Sequence, residues 1–291
     1  MESAPPAKPF AIGLSPLGDR PWLIVDARLP PYLAEKRALH RENPDKVFLA
    51  EPDTNQAQRE TLERIAAWQI EHHPDRFARK ESSILIEGVD DVVDLESNEP
   101  LLAAAFLCAE DLVLMRRGEE GWRLAAASLS FPSSWRLAEK FARPITTIHA
   151  PVPGFSDGTR NAMLVERIFD NLQPDAPVLR GNWSIYGDDR LFHPDAHSGE
   201  GANEPDPRTT YLREERQTLT RLPGSDDILF TILITLTPLA RLAETSTGRE
   251  KAADISDQLA AMTDDELAYK SMTGRRDTFA LVLARIADGT I

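Results

Sequence analysis

Apolar positions recur along this chain with two different periods. Within residues 54–72, Leu62, Ile65, Ala66 and Ile70 follow helical spacing, with Asp53 or Thr54 placed to cap the start and Pro74 to stop the end. Residues 159–172 predict a second helix with Met163, Leu164, Ile168 and Leu172 turned inward. Residues 101–108 and 137–141 predict short ones. Near the C-terminus Thr263 and Glu266 have capping-box spacing, and Phe279, Val282, Leu283 and Ile286 form an i, i+3, i+4, i+7 stripe. Strand patterns lie between these helices. Residues 112–115 and 122–129 flank R-R-G-E-E-G, the mark of a hairpin with a glycine turn. Residues 211–222 and 228–237 flank P-G-S-D-D, and the second run is so apolar that it predicts a strand covered on both faces. Residues 183–186 predict a further strand, and residues 22–25 a strand or a docked extended segment. The stretch 187–207, rich in Gly, Pro, Asp and Asn, predicts a long surface loop. Hairpins interrupted by helices, without regular βαβ alternation, indicate an α+β fold built on an antiparallel sheet.

With 291 residues and 42% hydrophobic content, the chain can bury a substantial core, and one domain behind a loose tail at residues 1–9 is the expectation. Lys and Arg total 33 against 47 for Asp and Glu, a net charge of −14. That balance argues against a nucleic-acid partner, which needs a basic face, and suits a cationic or neutral small ligand. It also serves solubility alone. No run approaches the roughly 20 apolar residues that span a bilayer. The N-terminal residues Glu2, Pro5, Pro6, Lys8 and Pro9 lack the order of a signal peptide, so a cytoplasmic location is expected. The lone Cys108, in A-F-L-C-A, reads as a small buried residue rather than a nucleophile. The acidic residues of 87–99 read as a solvated rim rather than a metal cage.

Zincin, zinc-ribbon, dinucleotide and P-loop motifs are missing. His72 and His73 would point about 100° apart on a helix, and His193 and His197 are separated by Pro194 in a loop-like context, so neither pair predicts a metal site. Gly154, Ser156 and Gly158 spell G-x-S-x-G, yet Pro151 and Pro153 occupy the approach where a nucleophile elbow needs a strand. There Ser156 or Asp157 serves as a helix cap. His149 stands out in I-H-A-P-V-P: the two prolines bias Ala150 and Val152 toward extended geometry and hold the imidazole on a stiff turn. Such a histidine either hydrogen-bonds its neighbours or acts as a single axial ligand, as haem iron requires. Phe131, Trp135 and Trp183 could wall a haem pocket or fill the core. Arg180, Arg213, Arg216 and Arg221 could hold haem propionates, or pair across strands with Glu214 or Glu215.

Four blocks in order carry a family resemblance: E-D-L-V-L-M at 110–115, F-P-S-S-W…E-K…I-H-A-P-V-P at 131–153, R-G-N-W-S-I at 180–185, and L-R-E-E-R-Q-T-L-T-R-L-P at 212–223 leading into F-T-I at 230–232. Together they resemble the haem-dependent oxidative N-demethylase family, alpha-subunit-like, over roughly residues 10–245. The resemblance implies a PAS-like haem domain over 10–245; the C-terminal helices of 246–291 lie outside it and are expected to pack on the same domain. It implies haem b, and removal of a methyl group from a small secondary amine such as dimethylamine. That reaction uses O2 and two electrons and releases formaldehyde. Electrons would come from NADPH through partner reductase subunits carrying flavin and an iron–sulfur centre. By position it implies His149 as the iron ligand, Trp135 in the haem pocket, Arg180 or Arg216 on propionate, and Glu215 holding a cationic amine or relaying a proton. Leu233 and Ile234 depart from an expected Arg-Thr pair, a change that bears on substrate or propionate contacts. A non-catalytic haem sensor of the same fold is the alternative, and a serine hydrolase the third.

Overall fold

A computed structural model describes residues 10–195 and 205–291, so the expected tail and His197 lie outside the described residues. In chain order the strands are β1 (Ser15–Pro16), β2 (Phe48–Ala50), β3 (Phe77–Lys80), β4 (Ser83–Ile86), β5 (Val92–Asp94), β6 (Asp111–Gly118), β7 (Gly121–Ser128), β8 (Val178–Tyr186), β9 (Tyr211–Arg221) and β10 (Ile228–Pro238). The helices are α1 (Leu29–Glu42), α2 (Pro44–Val47), α3 (Asn55–His72), α4 (Pro100–Ala105), α5 (Leu137–Lys140), α6 (Ile145–His149), α7 (Arg160–Asn171), α8 (Leu239–Leu242), α9 (Ser246–Ala261), α10 (Asp264–Tyr269) and α11 (Arg276–Ala287). The β9–β10 hairpin is the centre of a seven-stranded sheet of order β1-β8-β9-β10-β6-β7-β2, antiparallel throughout. β3, β4 and β5 form a small second sheet. The fold is α+β.

Strand alternation gives the large sheet two faces. Trp183 and Leu212 face a cluster formed by α8, α9, α10 and α11, with Ile255, Leu259, Phe279, Val282 and Leu283 buried in it. The capping box expected at Thr263 is present: Thr263 N donates to Glu266 Oε2 at 2.8 Å, and Glu266 N to Thr263 Oγ1 at 3.3 Å. Among the described residues no helix is long and apolar enough to cross a membrane.

A buried polar knot ties α1 to β6. The Lys36 ammonium donates to the carbonyls of Cys108 (3.0 Å) and Glu110 (2.5 Å) and lies 4.0 Å from the Asp111 carboxylate. Asp111 in turn accepts from the amides of Ser130 (2.9 Å) and Phe131 (2.7 Å). Cys108 is buried beside this knot, and burial pushes its thiol up to about 12, which makes it inert.

Several local expectations are corrected. Around α7, Ile168 and Leu172 turn inward as expected beside buried Ala162, Val165 and Phe169, whereas Met163 is 62% and Leu164 39% exposed. Two apolar stripes lie side by side on this helix, and the sheet takes the one whose Phe169 packs edge-on against Trp122, 5.8 Å away. The cap of α7 is Thr159, and Ser156 sits exposed on the turn before it, so the serine-hydrolase reading loses its elbow. Ala150 is helical (φ −53°, ψ −35°) rather than extended, because His149 ends a one-turn helix and its carbonyl accepts from Val152 N at 2.8 Å. The acidic rim contains an unexpected strand, β5, whose Val93 is buried. Of the two readings of residues 22–25 the strand is not formed: Trp22 and Leu23 dock as buried irregular chain.

Replacing Asp111 by Ala strands the Lys36 ammonium and two backbone amides in the interior. The expected loss is about 3–5 kcal/mol, read from urea unfolding of the two proteins at one pH.

Candidate functional site

The face of the sheet opposite Trp183 floors a cavity of about 470 Å³, a size suited to a small ligand or cofactor. Arg180, Asn182, Ser184 and Tyr186 of β8 alternate into it, as do Glu215, Gln217 and Leu219 of β9 and Phe230 and Ile232 of β10. Val113, Met115 and Leu124 extend the floor across β6 and β7. The lid is apolar: Ile145 and Ile148 of α6, Val152, Phe155, and Val165, Ile168 and Phe169 of α7. Polar groups gather at one end, where the F-P-S-S-W loop, Lys140 of α5 and the Tyr269–Lys270–Ser271 corner meet β8 and β9. Three non-glycine lining residues hold left-handed backbone: Phe10 (φ 61°), Ser134 (φ 64°) and Ser271 (φ 56°). Such strain persists only where the surroundings impose it.

His149 is the last residue of α6. Its segment is fastened to β7 through Ala142 N, which donates to Leu124 O at 2.8 Å, and a bridge between Pro144 and Arg123. The half-buried ring meets Phe155 edge-on at 5.9 Å. No hydrogen bond or ion pair among the described residues engages its nitrogens. Burial, helped by the positive charges of Lys140 and Arg180, lowers its pKa to about 4. At neutral pH the imidazole is therefore uncharged, with a lone pair available to a metal.

Among the described residues, two cations near it form no ion pair. Lys140 lies 4.0 Å from the Trp135 ring centroid, and burial brings its pKa down to about 8 despite Glu215 and Glu139. Arg180 donates from Nη2 to Ala11 O at 3.4 Å, while its Nε is buried without a partner. Burial lowers its pKa too, against the pull of Glu215 and Tyr269. Lys270 is better satisfied: Nζ donates to Trp183 O at 2.5 Å and lies near Asn182 Oδ1 and Ser184 Oγ. Its pKa also falls to about 8 through burial.

Glu215 is the carboxylate of this polar end. It accepts from Gln217 Nε2 at 2.5 Å and Asn182 Nδ2 at 3.4 Å. Burial would raise its pKa, but the Ser133 hydroxyl, Arg213, Asn182 and Lys270 outweigh it and hold the pKa below the usual value. Glu215 is ionised at neutral pH.

Of the residues expected from sequence, the structure brings His149, Trp135, Arg180 and Glu215 into one cavity. Arg216 is not among the lining residues: it donates to Trp22 O at 2.9 Å and to Pro21 O. Adjacent residues of a strand point to opposite faces, so Glu215 and Arg216 cannot both serve this cavity. Trp183 turns away as well and donates to Gln258 Oε1 at 2.8 Å, and Phe131 packs on Tyr32. Arg213 and Arg221 spend their donors on backbone carbonyls, Arg213 on Phe131 and Leu191, Arg221 on Phe169 and Leu172. His193 is buried beside Asp188, 3.0 Å away, rather than lying on a surface loop. Among the described residues no cluster of His, Cys, Asp and Glu could hold a metal ion. Sequence reasoning missed Lys140, Asn182, Tyr186, Gln217, Tyr269 and Lys270. Strand parity from Arg180 and Glu215 would have found Asn182, Tyr186 and Gln217, whereas nothing in residues 264–272 marks Tyr269 and Lys270.

These features define an α+β protein that encloses an amphipathic, cofactor-sized cavity with a single neutral imidazole in its wall. The chain matches the family described as haem-dependent oxidative N-demethylase, alpha subunit-like, over residues 13–279, and belongs to that family.

The depressed pKa of His149 has a direct readout. Its ring-proton NMR shifts are expected to stay constant as pH falls from 8 to about 5 and to move only near 4. In the unfolded chain the ring titrates at its ordinary value of 6.5, so between about 6.5 and 4 the unfolded state binds the extra proton. This site therefore withdraws stability as pH falls through that window, and His149→Ala removes that part of the acid sensitivity.

Proposed function

We propose that this chain binds haem b in the cavity through His149 and serves as the oxygenase subunit for oxidative N-demethylation of a small secondary amine. The observation that carries the reading is the pairing of a neutral, unengaged imidazole with two under-partnered cations at the polar end of an otherwise apolar pocket. Haem has matching chemistry: an iron needing one axial nitrogen, an apolar macrocycle, and two carboxylates on one edge. Arg180 and Lys140 would hold those carboxylates, with Trp135 fixing the Lys140 ammonium.

Bound haem supplies what the side chains lack, the reductive activation of O2. Every other task falls to the chain. The apolar lid of α6 and α7 excludes water. Glu215, ionised and braced by Asn182 and Gln217, offers a fixed anion to a dialkylammonium ion and a base for its proton. Removing a methyl group as formaldehyde consumes one O2, two electrons and two protons and leaves one water. The electrons would come from partner subunits, from NADPH through flavin and an iron–sulfur centre. An ionised carboxylate in the pocket favours this reading over a gas sensor of the same fold, which has no ammonium to bind.

Three outcomes test this. Haem-supplemented protein is expected to show a Soret band that His149→Ala shifts or abolishes. Lys140→Met and Arg180→Met are each expected to weaken haem binding by about 1.5–3 kcal/mol, the worth of a charge-assisted hydrogen bond, in a haem titration. Glu215→Gln is expected to leave the Soret band in place and weaken dimethylamine binding about tenfold or more. A colourless wild type would end the reading, and haem binding without aldehyde from any amine would favour the sensor.

A further inference from the structure

The oxygenase reading leaves unexplained why the F-P-S-S-W loop places two consecutive hydroxyls at the polar end of the cavity. Ser134, forced into left-handed backbone (φ 64°), puts its Oγ 2.9 Å from the Tyr186 hydroxyl. Ser133 lies beside both Tyr186 and Glu215 and lowers the pKa of each. Arg213 fixes the Ser133 oxygen by donating from Nε at 3.0 Å, and the same guanidinium holds Phe131 O at 2.9 Å. A guanidinium only donates and a carboxylate only accepts, so the Ser133 oxygen faces Arg213 while its proton is free to turn to Glu215. That arrangement is polarised toward the carboxylate.

We propose that Ser134, Tyr186 and Ser133 form a hydroxyl relay that delivers protons to Glu215. This rests on the functional reading above, since only a reaction that takes up protons needs such a line. In each transfer one hydroxyl oxygen gains a proton from the group behind and releases its own to the group ahead. A proton entering at half-buried Ser134 thus leaves one on Glu215, and every hydroxyl ends neutral. Tyr186 stays a phenol throughout: burial raises its pKa, against the pull of Ser134, Arg213 and Ser133. The charged and titratable groups around Glu215 are Arg213, Arg180, Lys140, Lys270, Tyr186 and Tyr269. Of these only Tyr186 both donates and accepts while hydrogen-bonded to a second hydroxyl.

Two measurements decide it. In cofactor-free protein, infrared titration of the Glu215 carboxylate, its band assigned with Glu215→Gln, is expected to show a higher pKa in Ser133→Ala and Tyr186→Phe than in wild type. Unchanged titration in both variants would overturn the relay, whether or not haem binds. In haem-loaded protein reduced by dithionite and mixed with O2 and dimethylamine, Tyr186→Phe is expected to slow formaldehyde formation about 100-fold, the scale of a general acid–base contribution. Peroxide would appear in place of the aldehyde, with the Soret band kept in place. A Tyr186→Phe protein that forms formaldehyde at the wild-type rate also overturns it. Failure of the functional reading looks different: wild type itself then shows no Soret band or no aldehyde.

Discussion

One ammonium holds the active wall of this protein in place. Lys36 sits almost fully inside the core, and its charge is spread over backbone carbonyls of residues 105, 108 and 110 and the nearby Asp111 carboxylate. Asp111, with both oxygens given to the amides of Ser130 and Phe131, fixes the start of the F-P-S-S-W loop. Arg213 clamps the same stretch from its other side, through the carbonyls of Phe131 and Pro132. A pair of hydrophobic residues could fill the same volume, often with no loss of stability. It could not orient two backbone amides, and orientation is what the loop delivers to Trp135 and the two serines in the cavity.

The sheet divides structural and chemical labour between its faces by strand parity. On β8, Trp183 packs toward the C-terminal helices while Asn182 and Ser184 look into the cavity. On β9, Glu214 pairs with Lys251 of α9 at 2.8 Å, Glu215 stays in the pocket, and Arg216 secures the extended segment at Pro21 and Trp22. Three neighbouring charges thus do three separate jobs. Lys270 links the faces: it follows α10, reaches Trp183 O, and its ammonium touches Asn182 and Ser184. Loosening the C-terminal helices would therefore disturb the residues around Glu215 before it unfolded the sheet.

That division also explains which parts of the molecule were legible in the sequence. The β6–β7 and β9–β10 hairpins, α3 and the α11 stripe follow from local period and turn chemistry, and these pieces define the α+β class. The four motif blocks likewise carry His149, Trp135, Arg180 and Glu215. What sequence did not show is set by contacts distant along the chain. The inward face of α7 depends on Trp122 meeting Phe169, and the helical turn at Ala150 depends on α6 being fastened to β7. Lys270 enters the site from residues that lie far from any motif. Arg216 lies off the cavity, as alternation along β9 from Glu215 requires.

The site's electrostatics follow from the same geometry. A cavity that sets Arg180, Lys140 and Lys270 against the carboxylates of Glu215 and Glu139 carries surplus positive charge, and the cations' depressed pKa values record the cost of burying them. Burial, helped by that surplus, keeps His149 unprotonated, while the Ser133 hydroxyl, Arg213, Asn182 and Lys270 hold Glu215 ionised against burial, which alone favours a neutral imidazole but a protonated carboxyl. One cavity thus holds a neutral imidazole and a charged carboxylate side by side. An incoming ligand with two carboxylates would neutralise Arg180, whose Nε has no partner, and Lys140, which lies over the Trp135 ring, and leave Lys270 fixed by its carbonyl. The Glu215 charge would then face the substrate with its local cation, Lys270, already engaged, which is the condition for binding a second, external ammonium there.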